Sequence, residues 1–288
     1  MARYSEEQLG LYLEHVRYPR PEHPADGDRL ALLTGLVRHH QARVPFDSTA
    51  LHYSTTRLLS LDRADLFDKI VTRGRGGYCM EVNELFATVL RTMGFRSHMV
   101  NLVTIKGKKY LVDVGFGAQE ATQPIPLEDG YEITTIAPTR GRLELKHIDK
   151  QVTKDDPAQR LWVWCSKRGG EGSEWEDMYS FSESEVFPED FEALNYFIMT
   201  RPQSFFLQNV IAYRPVLDEA TGELVAERIL HGNVVKEGAS GQDRVLEVLE
   251  TEEDRVGALD RYFDIRLTEQ EKRGIKGLAT ELMGKKAD

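Results

Sequence analysis

Sulfur is scarce in this chain, and long apolar stretches are missing. Its 288 residues include two cysteines, Cys79 and Cys165, too few for a disulfide framework or a four-cysteine zinc site. None of its eight histidines falls in an H-E-x-x-H pattern, so no metal centre is expected. The longest apolar runs, such as Leu30 to Val37 and Val100 to Val103, are far shorter than a bilayer requires. Met1 to Ser5 carries no signal-peptide core, so the expected location is cytoplasmic. Positive charge is in deficit: 37 Lys and Arg against 47 Asp and Glu give a net charge of -10. That balance disfavours nucleic-acid binding, which needs clustered cations to neutralise phosphates. Repeats and low-complexity linkers are absent too, so the parts of the chain should pack closely. What is present is 41% hydrophobic residues, enough over this length for a large core in two or three units.

The first ninety-odd residues carry helical spacing. Ser5 and Gln8 make a capping box ahead of Leu9, Tyr12, Leu13 and Val16. A break at Pro19, Pro21 and Pro24 precedes a second helix, capped by Asp28 and carrying Leu30, Leu33, Leu36 and Val37. His39 and His40 near its end read as structural, basic groups complementing the helix dipole. Asp62 caps a third helix with Leu66, Phe67 and Ile70. A fourth places Val82, Leu85, Phe86, Val89, Leu90 and Met93 on one stripe and stops at Gly94. Cys79 stands in its first turn. There the dipole, with Arg73 and Arg75 nearby, is expected to lower the thiol pKa and favour a nucleophilic thiolate.

Strands are expected after Gly94. His98 to Ile105, Lys106-Gly107 and Lys108 to Val114 spell a hairpin around a two-residue turn. In that register Ile105 faces Lys108, Val100 faces Asp113 and His98 faces Gly115. His98 and Asp113 are then diagonal neighbours on one face, about 7–8 Å apart. Cysteine, histidine and aspartate in one stretch supply a nucleophile, a base for its proton and an acid to orient the base. Further on, Arg142 to Leu145 and Leu161 to Trp164 read as strands of an antiparallel sheet or barrel, with Cys165 packed inside. Phe205 to Val210 and Glu223 to Val235 also read as strands, and Thr251 and Thr268 open helices with capping boxes.

The run Arg75-Gly76-Gly77-Tyr78-Cys79-Met80-Glu81-Val82-Asn83, with His98 and Asp113-Val114-Gly115-Phe116-Gly117, resembles the arylamine N-acetyltransferases, most closely the fungal members. The likeness extends to Pro45-Phe46-Asp47, Tyr179-Ser180-Phe181 and Pro202 to Phe206. It implies an α+β fold: an N-terminal helical bundle (1–96), a central antiparallel β-barrel-like domain (97–185) and a C-terminal α/β lid (186–288). It implies Cys79 as acyl acceptor, His98 as base and Asp113 as its orienting acid, in a thiol-protease-like triad. Phe116 and Ser97 would lie on the substrate side, and Gly117 and Ser204 would meet coenzyme A. No cofactor is held permanently; acetyl-CoA, or malonyl-CoA as in some fungal relatives, serves as co-substrate. The expected partner is a small arylamine or hydrazine, with no nucleic acid and no membrane, on a monomer or weak homodimer. One departure stands out: Gly94-Phe95-Arg96 runs almost directly into Ser97-His98, where the family has a longer segment. The triad alone also fits a papain- or transglutaminase-like thiol hydrolase, or a binding module that keeps a relict triad.

Overall fold

The computed structural model describes residues 3–19, 28–98, 101–169, 172–239 and 243–284, with residues 97, 98 and 101 described by backbone alone. Pro21 and Pro24, of the expected break, lie outside that set. Local chemistry sets the helix starts. Ser5 Oγ accepts from the Gln8 N–H and Gln8 Oε1 from the Ser5 N–H, opening α1 (Glu6–His15). Asp28 caps α2 (Arg29–Arg43) through the Ala31 N–H. After β1 (Phe46–Asp47) and the single turn α3 (Thr49–His52), Asp62 caps α4 (Arg63–Leu66), which continues as a π-type turn over Phe67–Thr72. Helix α5 (Cys79–Thr92) follows and ends at Gly94, whose φ of +77° is left-handed. His40 is structural for another reason than its charge. Burial pushes its pKa down to about 3, so it is neutral, and its Nδ1 pairs with the Tyr12 hydroxyl at 2.9 Å.

Three antiparallel sheets follow. The first holds β2 (Arg96–His98), β3 (Asn101–Ile105), β4 (Lys108–Val112) and β5 (Ile125–Pro126); the second holds β6 (Tyr131–Thr134), β7 (Arg140–Lys146), β8 (Leu161–Lys167) and β9 (Glu176–Phe181). Helices α6 (Pro188–Thr200) and α7 (Phe205–Gln208) lead to β10 (Ile211–Asp218), β11 (Glu223–His231), β12 (Val234–Gly238) and β13 (Arg244–Val248). These four join β1 in the third sheet, in the order β1-β10-β11-β12-β13. Thr251 and Thr268 cap α8 (Glu252–Phe263) and α9 (Glu269–Lys272), as their capping boxes predict.

The fold is α+β, but the expected barrel is instead two open four-stranded sheets. Period-two alternation explains their stacking. Val103, Ile105, Tyr110 and Val112 pack on the helices with Leu36, Phe86 and Leu90, while Leu102, Leu111 and Ile125 pack on Leu143, Trp162 and Trp164 of the second sheet. Two other expectations fail locally. Phe205 to Gln208 is one helical turn, because Ser204 O collects the N–H groups of Leu207 and Gln208. The stretch Glu223 to Val235 is broken into two strands at Gly232, φ +62°. Among the described residues no helix is long and apolar enough to cross a membrane.

Candidate active site

Cys79 is the first residue of α5, and the loop before it is held by β1. The Asp47 N–H donates to Gly77 O at 2.9 Å and the Gly77 N–H to Pro45 O at 3.2 Å, a parallel bridge that fixes the entry into the helix. Asp47 Oδ1 accepts from the Thr49 N–H at 2.7 Å. Arg75, buried, donates to Thr49 Oγ1 at 2.9 Å and to Glu271 Oε1 at 2.5 Å. Arg73 pairs with Asp68 at 3.0 Å. Both arginines therefore serve acids and hydroxyls of the framework and not the thiol. The expected lowering of the Cys79 pKa is overturned: burial first, then the Asp113 charge, push it up to about 12, against the pull of the Met80 N–H and its own. Desolvation of a half-buried sulfur outweighs the helix terminus.

The loop after β4 carries Asp113 against the cysteine helix. Asn83, one turn beyond Cys79 on the same face, donates from Nδ2 to Asp113 Oδ1 at 2.9 Å and accepts from the Val114 N–H at 3.3 Å. The Gly115 N–H also donates to Asp113 Oδ1, at 2.9 Å. Only glycine fits at 115, since a Cβ there would stand 2.6 Å from Val82 Cγ2 and 2.9 Å from Cys79 O. Asn83 was not singled out from the sequence, although its i,i+4 spacing from Cys79 is the signal that could have found it. Tyr179 presses its ring on Phe116, centroids 4.9 Å apart, and its buried hydroxyl interacts with the Asp113 carboxylate. The N–H groups of Phe116 and Gly117 donate to Glu120 at 3.2 and 3.1 Å, so the Gly117 amide is already engaged. Burial, then the Asp113 charge, hold the Glu120 carboxyl well above its usual range.

An aromatic cavity of about 340 Å³ opens beside this centre, lined by Phe46, Phe116, Phe205, Phe206, Tyr213 and His231 among others. Cys79 packs in the apolar cluster that contains Phe46, Phe206 and Tyr213. Ser204 precedes α7 and makes no side-chain cap bond. The side chains of Ser97 and His98 lie outside the described residues, but their backbones are placed. The hairpin has the expected register from Ile105↔Lys108 to Asn101↔Val112. It does not continue to His98, which lies in β2 and pairs with Leu102 instead of standing opposite Gly115. Strand β3 therefore stands between His98 and the strand that leads to Asp113, so the two are not the diagonal neighbours on adjacent strands that the two-residue hairpin predicts. The 14 residues of α5 rise about 21 Å, whereas the four steps from Gly94 to His98 span at most about 14 Å.

A family model described as N-acetyltransferase matches residues 29–97 and 96–272. The chain belongs to the arylamine N-acetyltransferase family. The two matched stretches meet at Arg96 and Ser97, where the chain is short. An N-malonyltransferase FDB2 of Fusarium pseudograminearum is 33% identical over 318 aligned positions, covering 95% of this chain and 92% of its own. That alignment is longer than the 288 residues present, so the relative has positions with no counterpart here. Human arylamine N-acetyltransferase 1 is 29% identical over 69% of this chain and 74% of its own. The structure of Mycobacterium marinum arylamine N-acetyltransferase in complex with CoA superposes with a TM-score of 0.74 at 25% identity, covering 94% of this chain and 99% of that one.

Proposed function

We propose that this chain transfers an acyl group from a coenzyme A thioester to the nitrogen of a small arylamine or hydrazine, through a thioester on Cys79. The observation that carries the reading is Cys79 at the head of α5, with the Asp113 loop locked to the same helix turn by Asn83 and Gly115. In the first half-reaction the sulfur attacks the thioester carbonyl, the bond to the CoA sulfur breaks, and CoA leaves with the proton. In the second, the amine attacks the enzyme thioester, the amide forms and the thiol is regenerated. His98 is the proposed base that moves both protons, and Asp113 the carboxylate that holds its tautomer. Phe116, with Phe46 and Phe206, would face the aryl ring. Ser97, beside His98, would border the substrate, and the Ser204 hydroxyl would donate to CoA. Acyl-CoA acts as a co-substrate, and the mechanism routes no step through a metal.

The test is incubation with acetyl-CoA and mass measurement of the intact protein. One acetyl group should add, the adduct should map to Cys79, and Cys79→Ala should abolish it. Failure of both acetyl-CoA and malonyl-CoA to acylate the protein would overturn the proposal. Malonyl-CoA is the second reading for the donor, favoured by the fungal N-malonyltransferase that aligns along nearly the whole chain. A malonyl carboxylate needs a partner, because an unpaired buried charge costs several kcal/mol. Among the described residues that line the cavity there is no Arg or Lys. Competition between the two thioesters, scored as kcat/KM with one arylamine, decides between them.

A further inference from the structure

The stretch that joins α2 to β1 touches both loops of the site. At its far end Pro45 O and the Asp47 N–H hold Gly77, and through it the entry to the Cys79 helix. At its near end, in the last turn of α2, stands Gln41, only 2% exposed. Its Nε2 donates twice, to Asp113 O at 3.3 Å and to Ala121 O at 2.8 Å, the two ends of the loop that follows β4. Two carbonyl oxygens on one nitrogen fix which way the amide points. The Gln41 Oε1 is then buried with no hydrogen-bond partner among the described residues. An apolar side chain of the same length would fill the space without that unsatisfied oxygen, so packing does not account for a glutamine here. What the amide does is hold two buried carbonyls.

We propose that Gln41 is a positioning residue for the acyl transfer: it holds both ends of the Asp113 loop from the same stretch that braces the Cys79 loop, and so sets the place of the acid relative to the nucleophile. The inference rests on the reading of Cys79 and Asp113 given above. Residues 41–47 act as a common base, with the main chain of the acid on Gln41 and the approach to the sulfur on Phe46 and Asp47. The base is firm, because Leu36 and Val37 of α2 lie in the core and His40 pairs with Tyr12 at 2.9 Å. Asn83 and the Gly115 N–H hold the Asp113 carboxylate from the α5 side, and Glu120 holds the middle of the loop through the Phe116 and Gly117 amides. Gln41 adds a grip on the loop ends from a different helix. Without it, two buried carbonyls lose a donor and the loop can turn toward other partners, carrying the carboxylate with it. A displacement of about 1 Å in such a group can lower a rate on the order of a hundredfold. Gln41 acts at one remove, and a smaller loss is expected.

The test uses the full-length chain and Gln41→Met, which keeps the length of the side chain and loses both donors. Two readouts are taken: the pH profile of Cys79 alkylation by iodoacetamide, which needs no acyl donor, and kcat and KM for acetyl-CoA. Alkylation near pH 7 and kcat should each fall on the order of tenfold, with KM changed by less than about twofold. In an Asp113→Asn background the same substitution should change alkylation and kcat by less than about twofold, since a residue that acts through Asp113 then has nothing left to position. Equal losses in the two backgrounds overturn the proposal, as does a loss confined to KM or an alkylation profile that does not move. Should Gln41→Met fail to fold, Gln41→Asn, one methylene shorter and unable to span both carbonyls, is judged by the same outcomes. A wild-type chain that is alkylated at Cys79 but takes no acyl group from acetyl-CoA or malonyl-CoA sinks the acyl-transfer reading, and the alkylation profiles still decide whether Gln41 positions Asp113.

Discussion

At the scale of single residues, the thiol and its environment pull in opposite directions. A group raised to about 12 is almost entirely protonated at neutral pH, and its thiolate fraction grows about tenfold per pH unit until that value is reached. If the His98 imidazole takes the proton, iodoacetamide should modify Cys79 near pH 7 far faster than in His98→Ala, and faster than the buried Cys165, also held at about 12. Superimposable pH profiles for the two proteins would show that His98 does not reach the sulfur. Asp113→Asn should keep the fold and lower the acylation rate by on the order of 10³–10⁴, since an amide cannot stabilise an imidazolium. Asn83→Ala should cost on the order of tenfold to a hundredfold in kcat with little change in KM, because it lets Asp113 drift. A loss in KM alone would assign Asn83 to substrate binding.

At the scale of elements, the junction between α5 and the loop after β4 depends on Gly115. Gly115→Ala should destabilise the protein by about 1–3 kcal/mol, read from urea midpoints, and should lower activity more than that loss explains. Unchanged stability would mean that the loop can lift from the helix. Helix starts at Ser5, Asp28, Thr251 and Thr268 were legible in the sequence because a cap is decided by residues three apart. The Cys79 helix was legible from its apolar stripe and from the Gly94 that ends it. The Lys106-Gly107 turn likewise set the register of β3 and β4. The course of His98 was not legible, since it depends on the reach of four residues measured against a whole helix. Nor was Phe46–Asp47, too short for any periodicity to mark as a strand. Arg75 misled because proximity in sequence to a thiol says nothing about which acid its guanidinium will meet.

At the scale of the whole molecule, buried ionisable groups tie stability to pH in two directions. His40 has a folded pKa of about 3 against an ordinary 6.5, so above 6.5 it is neutral in both states and its contribution is fully present. As pH falls below 6.5 the unfolded chain binds a proton that the folded chain refuses, and stability falls by roughly 1–2 kcal/mol per pH unit down to about 3. Glu81 and Glu120, raised by burial, act oppositely and take up protons in the folded state first. The stability difference between wild type and His40→Gln isolates the histidine and should shrink from pH 6.5 downward. A constant difference would mean that His40 is already charged in the fold.

The pairing of β1 with β10 has a consequence in time. Phe46 and Asp47 brace the loop that aims Cys79, yet their strand partners, Tyr213 and Ala212, lie more than half the chain further on, and the Arg75 anchor waits for Glu271. On a ribosome, the helix that bears the sulfur can form early, but the loop that orients it stays unbraced until Tyr213, Ala212 and Glu271 have emerged. Nascent chains arrested near residue 180 should therefore hold a helical Cys79 that does not accept an acyl group, and competence should arrive only once Glu271 has emerged.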